Sequence, residues 1–237
     1  MKPTKGAEVK AAVICAGGTS AGVKQINSGA PPTLLIHAED DGVVNYKGSV
    51  DMQAKFKEMG LKSELLVFKK GGHNPISGKS GNRDEFEAKT KVFLEKYLGV
   101  APPPALIEEE ETEETYVSET NSALKEDLDV AFGSHSLEKM DIYYHGDSAK
   151  RPALVLVHGS GGDKAKMGQL VDLFAGWGYV VSSINYRRSG SSGPADIGLA
   201  VKLLKAKASK YGVDSNSVGV YGYSVGGRYS TTAAMKP

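Results

Sequence analysis

Ser224 stands inside Val218-Gly219-Val220-Tyr221-Gly222-Tyr223-Ser224-Val225-Gly226-Gly227, where a β-branched run meets Gly-x-Ser-x-Gly and then a helical pattern. Strand, tight turn and helix in that order make a nucleophile elbow. Gly222 and Gly226 are the small residues the turn needs, because side chains two before and two after the serine would strike backbone. The turn lifts the Ser224 hydroxyl out of the sheet and aims the N–H of Val225, at a helix start, toward a developing oxyanion. Upstream, the apolar run Ala153 to Val157 ends in His158-Gly159-Ser160-Gly161-Gly162. Glycine-rich backbone near Ser160 and Gly161 can approach a carbonyl oxygen closely and supply the other half of an oxyanion hole; the plainer alternative is a loop. A serine hydroxyl is a weak nucleophile near neutral pH, so acyl transfer here also demands a histidine base and a carboxylate to orient it.

Five histidines are available. His158 belongs to the glycine turn, His37 ends an apolar run, and His135 and His145 sit in polar surroundings near an edge hairpin. His73, in Lys70-Gly71-Gly72-His73-Asn74, follows the run Glu64 to Phe68. It therefore lies just past the carboxyl end of a strand, where open α/β sheets place their sites. The candidate acids cluster in His37-Ala38-Glu39-Asp40-Asp41-Gly42-Val43-Val44. Glu39, Asp40 and Asp41 all lie beyond a strand end, and spacing alone does not choose among them.

The elements that must position these groups are legible as short apolar runs: Ala11 to Cys15, Thr33 to Ile36, Glu64 to Phe68, Ala153 to Val157, Tyr179 to Ile184 and Val218 to Tyr221. Each reads as a buried strand. Ile197, Val201, Leu204, Ala208 and Tyr211, and again Phe86, Thr90, Phe93, Leu94 and Tyr97, repeat at helical spacing. The alternation predicts an α/β fold with one mostly parallel, doubly wound sheet flanked by helices. The rhythm breaks between Gly99 and Asn121, where three prolines precede a block of glutamates, and that stretch reads as an exposed connector. A single domain over 1–237 is expected, as an acid and histidine half (1–98), the connector (99–121) and a nucleophile half (122–237).

The chain has 237 residues, 40% of them hydrophobic, and 29 basic against 28 acidic side chains. No overall field draws it to nucleic acid or an anionic membrane, so function must reside in a site. The lone Cys15 forms no intrachain disulfide and builds no metal cluster by itself; it reads as a small buried residue. With no membrane-length apolar run and no signal-like start, the expected location is cytoplasmic. No cofactor and no metal are expected.

These residues resemble the α/β-hydrolase superfamily. Asn185-Tyr186-Arg187, the run Lys210 to Asp214 and the Gly222 to Gly227 elbow are similar to small carboxylesterases of the acetyl-xylan and feruloyl esterase kind, and the elbow also to dienelactone hydrolases. In such families the acid stands four residues after a strand-end histidine. His37 to Val44 matches that pattern with Ala38 in place of a glycine, so the resemblance selects Asp41. It also sets His73 as the base. Serine stands here where dienelactone hydrolases carry cysteine, which favours ordinary ester hydrolysis. The implied triad is Ser224, His73 and Asp41, with Val225, Ser160 and Gly161 around the oxyanion.

The order is the anomaly, since hydrolases of this fold place the oxyanion turn first, then serine, acid and histidine. Closing the chain into a ring restores that order. Met235-Lys236-Pro237 also repeats Met1-Lys2-Pro3, and the connector falls where original ends would be joined. A circular permutant is therefore expected, with new ends near the site and either a monomer or a domain-swapped homodimer. Acid, histidine, serine is also the subtilisin order, but Asp41-Gly42-Val43 and Gly72-His73-Asn74 lack that family's contexts. The expected activity is hydrolysis of small-molecule, short-chain esters. Its rivals are a related peptidase or lactone hydrolase, and a non-catalytic or impaired hydrolase-fold scaffold.

Overall fold

Alternation along the central strands sets the architecture. In β1 (Ala11–Cys15), Ala12 and Ile14 join one buried cluster while Ala11, Val13 and Cys15 join another. In β6 (Arg151–Val157), Ala153, Val155 and Val157 likewise face away from Leu154 and Leu156. Strands apolar on both faces must be covered on both faces, and they are. The computed structural model describes residues 6–102 and 124–235. The remaining strands are β2 (Thr33–Ala38), β3 (Ser63–Phe68), β4 (Lys125–Ala131), β5 (Lys139–Tyr144), β7 (Val180–Ile184) and β8 (Val213–Tyr223). They form one eight-stranded sheet in the order β3-β2-β1-β8-β6-β7-β5-β4. β3 through β7 are parallel, and β5 and β4 close one edge antiparallel.

The helices are α1 (Ser20–Val23), α2 (Lys47–Glu58), α3 (Arg83–Leu98), α4 (Gly168–Gly176), α5 (Ser192–Ala206), α6 (Ala208–Tyr211) and α7 (Val225–Ala234). Met52 and Phe56 of α2, Ile197, Val201 and Leu204 of α5, and Tyr229 of α7 cover one face. Phe86, Phe93 and Leu94 of α3 and Leu170 and Phe174 of α4 cover the other. No helix among the described residues is long and apolar enough to cross a membrane.

The chain enters the sheet in the middle. β1 to β3 run outward to one edge, and the rest starts at the opposite edge and returns until β8 pairs with β1, from Ala11 beside Gly219 to Cys15 beside Tyr223. Residues 6–102 and 124–235 therefore each own an unbroken half of the sheet. Of the expected connector, residues 103–121 lie outside the described residues, as do Met1-Lys2-Pro3 and Lys236-Pro237 of the repeated tripeptide. Its first residues touch the body: Ala101 is buried in the α3 and α4 cluster, and the Pro102 carbonyl accepts from Arg151.

Two strands, β4 and β5, are additional to the six read from apolar runs. β4 is Lys-Glu-Asp-Leu-Asp-Val-Ala with mostly exposed side chains, and a register shift between Asp127 and Val130 breaks it. Charge and a bulge suit an edge that must not recruit another strand. His145, expected in polar surroundings, is buried after β5 with Nε2 3.3 Å from the Tyr179 carbonyl oxygen.

Candidate active site

The site assembles where the parallel strands end. β8 stops at Tyr223, and Ser224 turns into α7 with φ 54° and ψ −121°. A non-glycine residue in that region carries strain of about 1–3 kcal/mol, which surrounding structure must hold. Its N–H donates to the Cys15 carbonyl at 2.9 Å. The flanking glycines are sterically required: a Cβ on Gly222 would lie 2.6 Å from the Gly226 carbonyl oxygen, and one on Gly226 would lie 2.3 Å from those of Val157 and His158. The elbow thus nests directly on the end of β6.

Loops after β2 and β3 carry the other groups. His73 Nε2 lies 2.8 Å from Ser224 Oγ, and His73 Nδ1 lies 2.8 Å from Asp41 Oδ2. A carboxylate can only accept, so Nδ1 holds the proton and Nε2 is free to accept from the serine hydroxyl. The second oxygen of Asp41, Oδ1, accepts the N–H groups of Val43 and Val44 at 2.8 and 2.9 Å. Burial pushes the Asp41 carboxyl upward, but hydrogen bonds from His73, Val44 and Val43 outweigh it and hold the group below the ordinary aspartate value.

The three competing acids separate by partner. Asp40 accepts the N–H groups of Gly71 and Gly72 at 3.3 and 2.8 Å, shaping the loop that presents His73. Glu39 pairs with exposed Lys69 at 2.8 Å. Asp41 alone of the three reaches the imidazole of His73. Tyr223, unremarked in the sequence, lies beside that imidazole with ring centroids 5.5 Å apart, and its hydroxyl donates to the His73 carbonyl at 3.2 Å. Burial pushes its phenol up to about 12, so it stays protonated.

Ser160 and Val225 line one cavity of about 410 Å³ with Ser224, His73 and Arg228. Val225 is the first residue of α7, so its N–H has no intrahelical partner and is available to an anion. Gly161, at φ 73°, lines the adjoining cavity of about 390 Å³, which shares Ser160 and Tyr223 with the first. His158 is buried with Nδ1 2.7 Å from the Gly159 carbonyl oxygen, and burial lowers its pKa. The Tyr186 hydroxyl donates to the His158 carbonyl at 2.6 Å, and Arg187 binds buried Asp196; both tie down loops. Cys15 is buried, and burial pushes its thiol up to about 12, which leaves it unreactive. An imidazole poised between a hydroxyl and a carboxylate, beside open backbone N–H groups, can deprotonate the serine for attack on an acyl carbon and stabilise the resulting oxyanion.

Known families match the two halves separately. The BD-FAE family model matches residues 140–237, and that of the prolyl oligopeptidase family matches residues 18–101. Among solved structures, the bifunctional GH43-CE of Bacteroides eggerthii is 28% identical with a TM-score of 0.36, the match covering 44% of this chain and 16% of that one. A hyperthermophilic esterase from the archaeon Pyrobaculum calidifontis is 21% identical with a TM-score of 0.39, covering 65% and 46%. MGS-M1, an alpha/beta hydrolase enzyme from a Medee basin deep-sea metagenome library, is 19% identical with a TM-score of 0.39, covering 46% and 50%. The chain thus spans half or less of the length of each of these proteins. No curated protein matches it.

Proposed function

We propose that this chain, which belongs to the α/β-hydrolase superfamily, is a serine carboxylesterase acting on small, short-chain acyl esters. The observation that carries the reading is the continuous path from Asp41 through His73 to Ser224, with 2.8 Å at each step and the serine on a strained elbow. His73 Nε2 takes the Ser224 proton as Oγ attacks the ester carbonyl. Backbone N–H groups of Val225 and of the Ser160 to Gly161 turn hold the oxyanion. Asp41 keeps His73 in the required tautomer and stabilises the imidazolium. The proton then passes from His73 to the departing alkoxide, which leaves as alcohol. Water repeats the sequence on the acyl-enzyme and releases the acid.

Short acyl groups are favoured by the two modest cavities that share Tyr223 and Ser160 as lining. The test is hydrolysis of nitrophenyl acetate, butyrate and octanoate. Turnover should fall with acyl length and vanish in Ser224→Ala, and a fluorophosphonate should label the parent but not the variant. Folded protein with background turnover and no labelling would leave a non-catalytic scaffold. A lactone or a peptide nitroanilide in the same series separates the related hydrolases, of which the peptidase reading is favoured by the prolyl oligopeptidase match over the acid and histidine half.

The same proposal includes circular permutation within a single domain. The adjacency of β1 and β8 supports it, because a ring closed from α7 to β1 would join neighbouring parts of the sheet. A chain begun at residue 124, running through 235 into 6–102, should fold to the same sheet and retain turnover.

A further inference from the structure

The acid of the relay does not stand alone. His37, the last histidine before it, is fully buried at the end of β2 and is used by none of the steps above. Its Nε2 lies 3.1 Å from Asp41 Oδ2 and 3.0 Å from the Val44 carbonyl oxygen. Both of those atoms only accept, so Nε2 carries the proton. Its Nδ1 must then be the acceptor, and the Ser49 hydroxyl, also fully buried, stands 2.8 Å away to donate. Ser49 is wedged in turn: a Cβ on Gly18 would come within 2.1 Å of its Oγ. The Asp41 carboxylate therefore takes four N–H donors: two backbone groups on Oδ1, and His37 and His73 on Oδ2.

We propose that His37 is a positioning residue for the relay, with Ser49 fixing the tautomer that lets it donate to Asp41, so that the chain of contacts runs Ser49, His37, Asp41, His73, Ser224. Two consequences follow from one shared hydrogen bond. His37 fixes the rotation of the carboxylate, and hence the plane in which Oδ2 meets His73. It also draws charge off Oδ2, so its loss makes Asp41 more basic and the imidazolium of His73 easier to form. The other groups facing this cluster are Tyr223 from β8 beside the His73 ring, Arg228 from α7 in the same cavity and the buried thiol of Cys15 on β1.

The kinetic part of the test rests on the esterase reading, and the spectroscopic part does not. The His73 Cε1–H resonance is titrated by NMR in the parent, His37→Leu, His37→Gln and Ser49→Ala, and kcat and KM are measured on nitrophenyl acetate. In His37→Leu the His73 midpoint should move to higher pH and kcat should fall on the order of ten- to a hundredfold, the worth of a hydrogen bond to a charged group, with KM little changed. Ser49→Ala should move both in the same direction by less. His37→Gln, whose amide N–H reaches about as far as Nε2, should recover much of the loss. An unmoved His73 midpoint in folded His37→Leu, or Gln performing no better than Leu, would assign His37 to packing alone and overturn the proposal. If His37→Leu does not fold, an unmoved midpoint in Ser49→Ala overturns it equally. Absence of turnover in the parent would instead remove the esterase reading while the NMR midpoints still decide this one.

Discussion

Gly226→Ala tests whether the elbow is held by contact between backbones. The added methyl would sit 2.3 Å from the carbonyl oxygens of both Val157 and His158, and 2.8 Å from the Val157 carbonyl carbon. Ordinary contact needs a retreat of about 1 Å. No flexible side chain can absorb it, because the opposing atoms are the end of β6 and the start of the glycine turn. Either the first turn of α7 lifts off the sheet or the turn carrying Ser160 moves outward. Either movement separates the Val225 N–H from the Ser160 backbone, and the first also shifts Ser224 from His73. Overpacking of this kind costs about 1–3 kcal/mol, and a displacement of about 1 Å at a reacting group costs on the order of a hundredfold in rate. The expected result is a lower melting temperature, kcat/KM on nitrophenyl acetate reduced by roughly two orders of magnitude, and slower fluorophosphonate labelling. Gly227→Ala is the internal control, since its closest approaches are 3.0 to 3.3 Å and a small adjustment relieves them. Unchanged kcat/KM in Gly226→Ala, or equal losses in the two variants, would refute the steric account of the elbow.

Other outcomes follow from the same structure. Asp41→Asn keeps an acceptor for the Val43 and Val44 N–H groups but removes the charge beside His73, so kcat should drop on the order of 10⁴-fold; turnover at the parent rate would take Asp41 out of the mechanism. Burial lowers the pKa of His37, His145 and His158 from the ordinary 6.5. As pH falls below that value the unfolded chain takes up protons at these positions before the folded one does, so stability is fully present above it and declines toward the lowered folded values. Urea midpoints at pH 8 and pH 5.5 should differ in that direction, and equal midpoints would contradict it. Gly168→Ala at the start of α4 meets nothing within 4 Å and has helical φ −48° and ψ −49°, so it should stabilise by about 0.4–1 kcal/mol in the same titration.

Much of this was legible because it depended on local sterics. Six strands announced themselves as apolar runs because both of their faces are covered. Ser224 and its glycines were readable because the elbow's demands fall within five residues. The choice of Asp41 was not readable from spacing: Glu39, Asp40 and Asp41 all follow β2, and their partners, Lys69, Gly71, Gly72 and His73, come from another loop. β4 carries no apolar run, for the opposite reason to the core strands, since an exposed edge is built from charge; only the edge hairpin read around His135 and His145 pointed to it. The tie between His37 and Ser49 joins a strand to a helix twelve residues on, and no local pattern marked it.

The return of the chain to its own starting strand makes the site a junction between two pieces. Asp41 and His73 belong to one half of the sheet, Ser224, Val225 and Ser160 to the other, and the 2.8 Å contact between His73 and Ser224 crosses the line where β1 meets β8. Proton transfer would therefore pass between halves that meet along the β1 and β8 ladder and the packing around it. Two molecules that traded halves would rebuild the same ladder, with each active centre drawing its serine from one chain and its histidine from the other. Mixed Ser224→Ala and His73→Ala proteins, each inactive alone, distinguish the arrangements by complementation. Regained turnover after joint refolding means the halves trade partners, and continued silence means each chain closes on itself.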